Sequence, residues 1–202
     1  MDGSLEDVFT SIYRNGAWAS HDNVESLSGR GSTLWRTEAL RRELPGLLQR
    51  LGVSSLLDAA CGDFNWLSTL DLPLNRYYGI DVVRDVIAQN ERRYADSQRR
   101  FIHGNVCNDA LPDCDAILCR DCLNHLSFAD IEACLANFRR TQARFLLLTT
   151  HPAVLENIDC KTGEWRMLNF CLHPFNLPEP EERVLENEDL GKYLGVWRVG
   201  LL

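Results

Sequence analysis

The stretch Leu56-Leu57-Asp58-Ala59-Ala60-Cys61-Gly62-Asp63-Phe64-Asn65-Trp66-Leu67 decides the reading of this chain. The apolar run 54–59 reaches a carboxylate and then a glycine turn, the pattern of a buried parallel strand that delivers its end to a ligand. Gly62 lets the backbone turn sharply and come close to a bound group. The turn lacks the G-x-G-x-x-G spacing of dinucleotide enzymes and has no further glycines to receive a pyrophosphate, so a nucleoside without phosphates suits it better.

Working outward, strand and helix patterns alternate. Tyr77 to Ile80 reads as a second strand ending in Asp81, and Val83 to Tyr94 as a helix. Phe101 to Val106, Ala116 to Cys119 and Phe145 to Thr149 read as three more strands. Ser127 is an N-cap with Asp130 three residues on, opening a helix that runs to about Arg139. Upstream, Thr33 to Leu51 has apolar residues at helical spacing broken by Pro45, and Leu67 with Leu70 suggests a short helix. Downstream, Pro152 to Pro180 reads as a long, partly ordered loop, followed by a hairpin of Val184 to Glu186 with Leu194 to Val199. The expected fold is α/β, a Rossmann-like three-layer sandwich with a mostly parallel sheet and a C-terminal antiparallel hairpin. With no repeats or linkers, 1–202 reads as a single domain: an N-terminal lid over 1–37, a cofactor-binding core over 54–150 and a substrate loop over 151–182.

In such a sheet the ligand lies beyond the carboxyl ends of the strands. Asp81, roughly 20 residues past the glycine turn, is placed to accept the two hydroxyls of a ribose. Asn105 and Val106 offer a polar side chain and a backbone amide to an adenine edge. Taken together, LLDAACGDFNWL (56–67), YYGIDVV (77–83) and ILCRDCLNHLS (117–127) resemble the ordered motifs of class I S-adenosylmethionine-dependent methyltransferases, in one small bacterial subgroup. FTSIYRNGAW and SLSGRGSTLWRT are similar to the opening of that subgroup. The family's first motif often runs D/E-x-G-x-G-x-G; here Ala60 stands for the first glycine, Phe64 for the third, and Asn105 for a common Asp.

The resemblance implies roles. Asp58 and Gly62 hold the methionine moiety of S-adenosylmethionine, Asp81 its ribose, Val82 the adenine face, and Asn105 with Val106 the adenine edge. Arg120 offers its backbone carbonyl to the cofactor's amino group. The bland alternative for Asp58 and Asp81 is turn capping at strand ends. Tyr13 and Trp18, in the N-terminal segment ahead of the Ser/Gly stretch, are able to pack on the sulfonium as cation–π partners; the alternative is that they anchor a helix.

The resemblance also implies methyl transfer to an oxygen or nitrogen of a small-molecule acceptor. His125 is the first choice for a general base and Asp121 the second, or the group that orients His125; a capping or packing histidine is the competing reading. His151, Trp165, Arg166 and Asn169 come from the loop that should cover the acceptor, Arg166 being either an anion-holding group or a surface ion pair. Rival functions are a non-catalytic adenosylmethionine-binding partner subunit and an NAD-dependent oxidoreductase.

The net charge of -8 argues against nucleic acid as the main partner. No apolar run approaches the roughly 20 residues of a membrane span. The acidic opening MDGSLEDVF shows no secretory signal, so a cytoplasmic location is expected. Of the 8 cysteines, Cys119 and Cys122 form a C-x-x-C without a second pair at similar spacing, and thiols rather than metal ligands or bridges are expected.

Overall fold

The computed structural model describes residues 3–18 and 25–202. Of the expected N-terminal lid, residues 1–2 and 19–24 lie outside the described residues. The helices are α1 (Leu5–Arg14), α2 (Glu38–Arg50), α3 (Arg84–Tyr94) and α4 (Phe128–Phe138). The strands are β1 (Ser55–Ala59), β2 (Arg76–Asp81), β3 (Arg99–His103), β4 (Ala116–Cys119), β5 (Phe145–Thr150), β6 (Glu182–Asn187) and β7 (Lys192–Arg198). They form one 7-stranded sheet in the order β3-β2-β1-β4-β5-β7-β6. The first five run parallel, β7 is antiparallel to β5, and β6 pairs antiparallel with β7.

Alternation along the strands splits the apolar side chains between two faces. Leu57, Ile80, Ile117, Leu146, Leu148 and Trp197 pack with Ile131, Leu135 and Phe138 of α4. Leu56, Tyr77, Phe101, Leu118, Leu147 and Val196 pack with Leu40, Leu44, Leu47 and Leu48 of α2 and Ile87 of α3. This is the expected three-layer sandwich.

Three details depart from the sequence reading. Pro45 does not break its helix: α2 continues through it, because four leucines buried to 0% exposure outweigh one missing backbone hydrogen bond. The helix instead starts late, at Glu38, since Thr37 turns its hydroxyl back onto the Thr33 carbonyl at 2.9 Å. β3 lies at Arg99–His103, earlier than the expected 101–106, paired in register with β2 from Tyr77↔Arg99 to Asp81↔His103.

The departure at Phe64 acquires a physical reason. Its backbone is left-handed at φ 57°, a conformation that suits the glycine common at this position of the motif. The ring is buried and meets Tyr77 at 4.9 Å, Tyr94 at 5.2 Å and Phe101 at 5.2 Å. The aromatic cluster holds the residue in a strained backbone, each ring pair contributing about 0.5–1.5 kcal/mol beyond burial.

The loop from 151 to 181 contains no helix and one isolated bridge, yet side chains fix it to backbone carbonyls. Asn157 donates to Asn169 O at 2.8 Å and His173 O at 3.0 Å, and Asn169 donates to Val154 O at 3.1 Å. Leu168, Phe170 and Leu177 join the core.

Candidate active site

The parallel order changes direction between β1 and β4, so the carboxyl ends of β2, β1 and β4 stand side by side and present Asp81, Asp58 and Arg120 in a row. Beyond them opens a cavity of about 410 Å³. Its wall includes Tyr13, Trp18, Asp58, Gly62, Asp81 and Val82. It also includes Asn105, Val106, Arg120, Asp121, His125 and Trp165.

Both strand-end carboxylates are buried and already engaged. Asp58 accepts the Tyr77 hydroxyl at 2.7 Å. Asp81 accepts Gly62 N–H at 3.0 Å and Val83 N–H at 2.9 Å, so it caps two turns while facing the cavity. Burial raises Asp58 to about 7, against the pull of Tyr77 and Arg120. Burial likewise raises Asp81 to about 6, against its backbone donors. Two carboxyls that gain from a partner for their charged forms thus share one wall. Asn105 uses its side-chain oxygen on Cys107 N–H at 2.9 Å. Its amide nitrogen has no partner among the described residues.

The N-terminal segment is stitched onto the glycine turn. The Ser28 hydroxyl accepts Asp63 N–H at 2.9 Å and meets the Tyr13 hydroxyl at 2.8 Å. Asp63 accepts Leu27 N–H at 2.6 Å and the Ser26 hydroxyl at 2.9 Å. The Ser/Gly stretch therefore spends its donors on the core. Gly62, at φ 53°, permits the approach: a Cβ there would lie 2.3 Å from Ser28 Oγ.

Sequence reasoning missed a buried charge cluster under this end of the cavity. Glu186 of β6 and Lys192 of β7 bond Arg120 and Asp121. The guanidinium lies 3.3 Å from Asp121, donates to Gly31 O at 2.6 Å, and sits over the Trp66 ring at 5.3 Å. A register shift between Leu185 and Asn187 coincides with the one buried residue of β6, Glu186. Asp121, at φ 52°, is tied through its N–H to Thr149 Oγ1 at 2.9 Å. Burial alone would raise its pKa, but Lys192 and Arg120 override that and hold it well below the usual carboxylate range. A carboxylate so strongly ionised is too weak a base to take a proton at neutral pH. Asp121 thus acts on His125 through its charge, while the orienting bond expected of it is made by the Glu164 carbonyl instead.

His125 is different. Its Nδ1 lies 3.1 Å from the Glu164 carbonyl, which only accepts, so Nδ1 carries the proton and Nε2 keeps a lone pair. Burial holds the imidazole below its ordinary pKa, with the Asp121 charge opposing.

Three of the residues expected to bind substrate do not line the cavity. Arg166 gives its guanidinium to the carbonyls of Asn124 at 3.0 Å, Leu123 at 3.3 Å and Ile158 at 3.3 Å. Asn169 is spent on the loop. His151 is buried behind Trp165, ring to ring at 6.4 Å, with Nε2 lacking a hydrogen-bond partner among the described residues. All 8 cysteines are free thiols, Cys122 lying on the cavity wall. Among the described residues there is no group of three or more potential metal ligands, and no helix is long and apolar enough to cross a membrane.

Residues 56–143 match the family model of a methyltransferase domain. No curated protein matches the chain. Among solved structures, it is similar to the Burkholderia thailandensis 1,6-didemethyltoxoflavin-N1-methyltransferase with bound 1,6-didemethyltoxoflavin and S-adenosylhomocysteine. The TM-score is 0.61 at 18% identity, over 96% of this chain and 86% of that one. The N-methyltransferase NodS from Bradyrhizobium japonicum WM9 with S-adenosylhomocysteine gives 0.61 at 17% identity, over 95% and 97%. The methyltransferase domain of bacterial CtHen1-C gives 0.50 at 17% identity, over 58% of this chain and 66% of that one. At these identities the structural likeness speaks for the fold. Residues 56–143 are thus similar to a methyltransferase domain, set in a sheet topology like that of these solved structures.

Proposed function

We propose that the protein transfers a methyl group from S-adenosylmethionine to an oxygen or nitrogen of a small-molecule acceptor. The observation that carries this reading is the convergence of Asp58, Asp81 and the His125 imidazole, with Nε2 available as an acceptor, on one cavity. The wall suits the cofactor: two buried carboxyls for an ammonium and a ribose, a glycine turn between them, and the Asn105 amide for an adenine edge. When bound, the cofactor supplies an electrophilic methyl group on a cationic sulfur.

The chain's own residues do the rest. Asp81 orients through its remaining lone pairs, and Asp58 offers its charge. Tyr13 and Trp18 wall the cavity with π faces that favour a cation. His125 Nε2 accepts the acceptor's proton, and the fixed Asp121 charge stabilises the resulting imidazolium. α1 buries none of its residues fully, which places it among the elements that open most easily. It serves as the lid, leaning on the loop at Gly163, where a Cβ would lie 2.7 Å from Val8. Hydrogen exchange in α1 is expected to slow on cofactor binding while β1 and β4 stay unchanged; slow exchange in α1 without ligand would remove the lid.

Calorimetry with S-adenosylmethionine tests the reading. Asp81→Ala is expected to bind at least about tenfold more weakly with its fold intact, since each hydrogen bond to a charged acceptor contributes about 1.5–3 kcal/mol. Wild-type affinity should also depend on pH. Asp58 at about 7 and Asp81 at about 6 are raised in the free protein, and the ligand favours both charged forms, so binding must expel protons at low pH. Affinity therefore rises with pH, by about tenfold per unit for each carboxyl still protonated, and levels off above roughly pH 7. Protonated His125 would also repel a sulfonium, so the three groups act in one direction. A flat profile between pH 5 and 7 would show that neither carboxyl faces the ligand.

A further inference from the structure

The class of acceptor can be read from what surrounds His125. Trp18 covers one side of the imidazole, ring centroids 4.9 Å apart, with Phe9 behind it at 6.0 Å. The chain around Trp165 is also bonded to the chain around His125. Gly163 N–H donates to His125 O at 2.8 Å, Arg166 N–H to Asn124 O at 3.1 Å, and Glu164 O accepts His125 Nδ1. Trp165 therefore sits in a backbone fixed to the base itself, and its indole lines the cavity while remaining 50% exposed.

The charges at this end are spent. Arg120 and Lys192 neutralise Asp121 and Glu186 pairwise. Arg166 is turned onto carbonyls and toward Asp159 at 4.0 Å. Arg30, also on the cavity wall, is exposed to water. A charged acceptor would lose its hydration here without gaining a buried partner, whereas a π system would cover the half-exposed indole.

Resting on the methyltransferase reading above, we propose that the acceptor is a flat, uncharged aromatic molecule bearing an O–H or ring N–H, seated between Trp18 and Trp165. The acceptor's lone pair forms the new bond to the methyl carbon as the carbon–sulfur bond breaks. The sulfur keeps that electron pair, and the acceptor's proton goes to His125 Nε2.

Four probes of one size separate shape from charge: 2-naphthol, 2-naphthoate, 2-naphthylmethylammonium and decahydro-2-naphthol. Each is titrated calorimetrically into protein saturated with S-adenosylhomocysteine. 2-Naphthol is expected to bind at least about tenfold more tightly than the other three, and Trp165→Leu to remove about tenfold of that affinity, with S-adenosylhomocysteine binding unchanged. Equal or tighter binding of any other probe overturns the proposal, as does no binding of 2-naphthol to the loaded protein. Tight binding of 2-naphthoate that Arg30→Gln abolishes would assign an anionic acceptor instead. Failure of S-adenosylhomocysteine itself to bind would strike the methyltransferase reading rather than this one.

Discussion

His125→Ala is expected to lower kcat by about 10²–10⁴-fold, the usual contribution of a positioned base, while cofactor affinity changes little. The geometry sets this expectation. The bond from Nδ1 to Glu164 O fixes the tautomer, and burial keeps the ring neutral near pH 7 so that Nε2 is ready to accept. The charge of Asp121 then favours the imidazolium once the proton arrives. Single-turnover rates at saturating cofactor and acceptor give the direct readout. The wild-type rate should fall as pH drops through the imidazole pKa, and His125→Gln should abolish that limb. A raised KM with unchanged kcat would instead make His125 a binding residue.

The second large effect concerns stability. Arg120→Met leaves the Glu186 carboxylate, whose side chain is 1% exposed, and Asp121 sharing Lys192 alone. Breaking a buried ion pair by removing one partner costs about 3–5 kcal/mol. In a domain of this size that lowers Tm on the order of 10 °C. The second variant, Arg120→Met with Glu186→Gln, restores the charge balance and should recover a substantial part of the loss. Urea denaturation of both against wild type measures the difference. The single variant also loses the bond to Gly31 O, so the N-terminal segment should exchange faster. Equal stability of the single variant and wild type would mean that water reaches the cluster freely.

The fold was legible because the deciding signals are local. The runs that became β1, β2, β4 and β5 are apolar and short, and β1, β2 and β4 lead into Asp58, Asp81 and Arg120, whose side-by-side placement follows from the doubly wound order. Ser127 opened α4 as expected, its hydroxyl accepting Asp130 N–H at 3.2 Å. The wall residues carried by those strand ends were legible for the same reason. Glu186 and Lys192 were not, because a charged residue in a strand reads as surface, and only the irregular pairing of β6 with β7 accounts for a buried carboxylate there. Arg166 and Asn169 were read toward substrate, but a loop without periodicity is held by long-range bonds to carbonyls, which leave no pattern in the local sequence.

The contact of Gly31, Arg120 and Glu186 has a consequence for how the molecule assembles. During synthesis the glycine turn and the first four strands leave the ribosome well before β6 and β7. Until that last hairpin docks, Arg120 and Asp121 have only each other as counter-charge, and the guanidinium that donates to Gly31 O lacks Glu186. Joining segments 66 and 89 residues away from Arg120 carries a chain-closure cost that local contacts do not. The parallel half of the sheet thus depends on shorter loop closures than the buried charge cluster, which needs the final hairpin. Nascent chains stalled before β6 would carry Asp58 and Asp81 at their strand ends while Arg120 still lacks the Glu186 carboxylate.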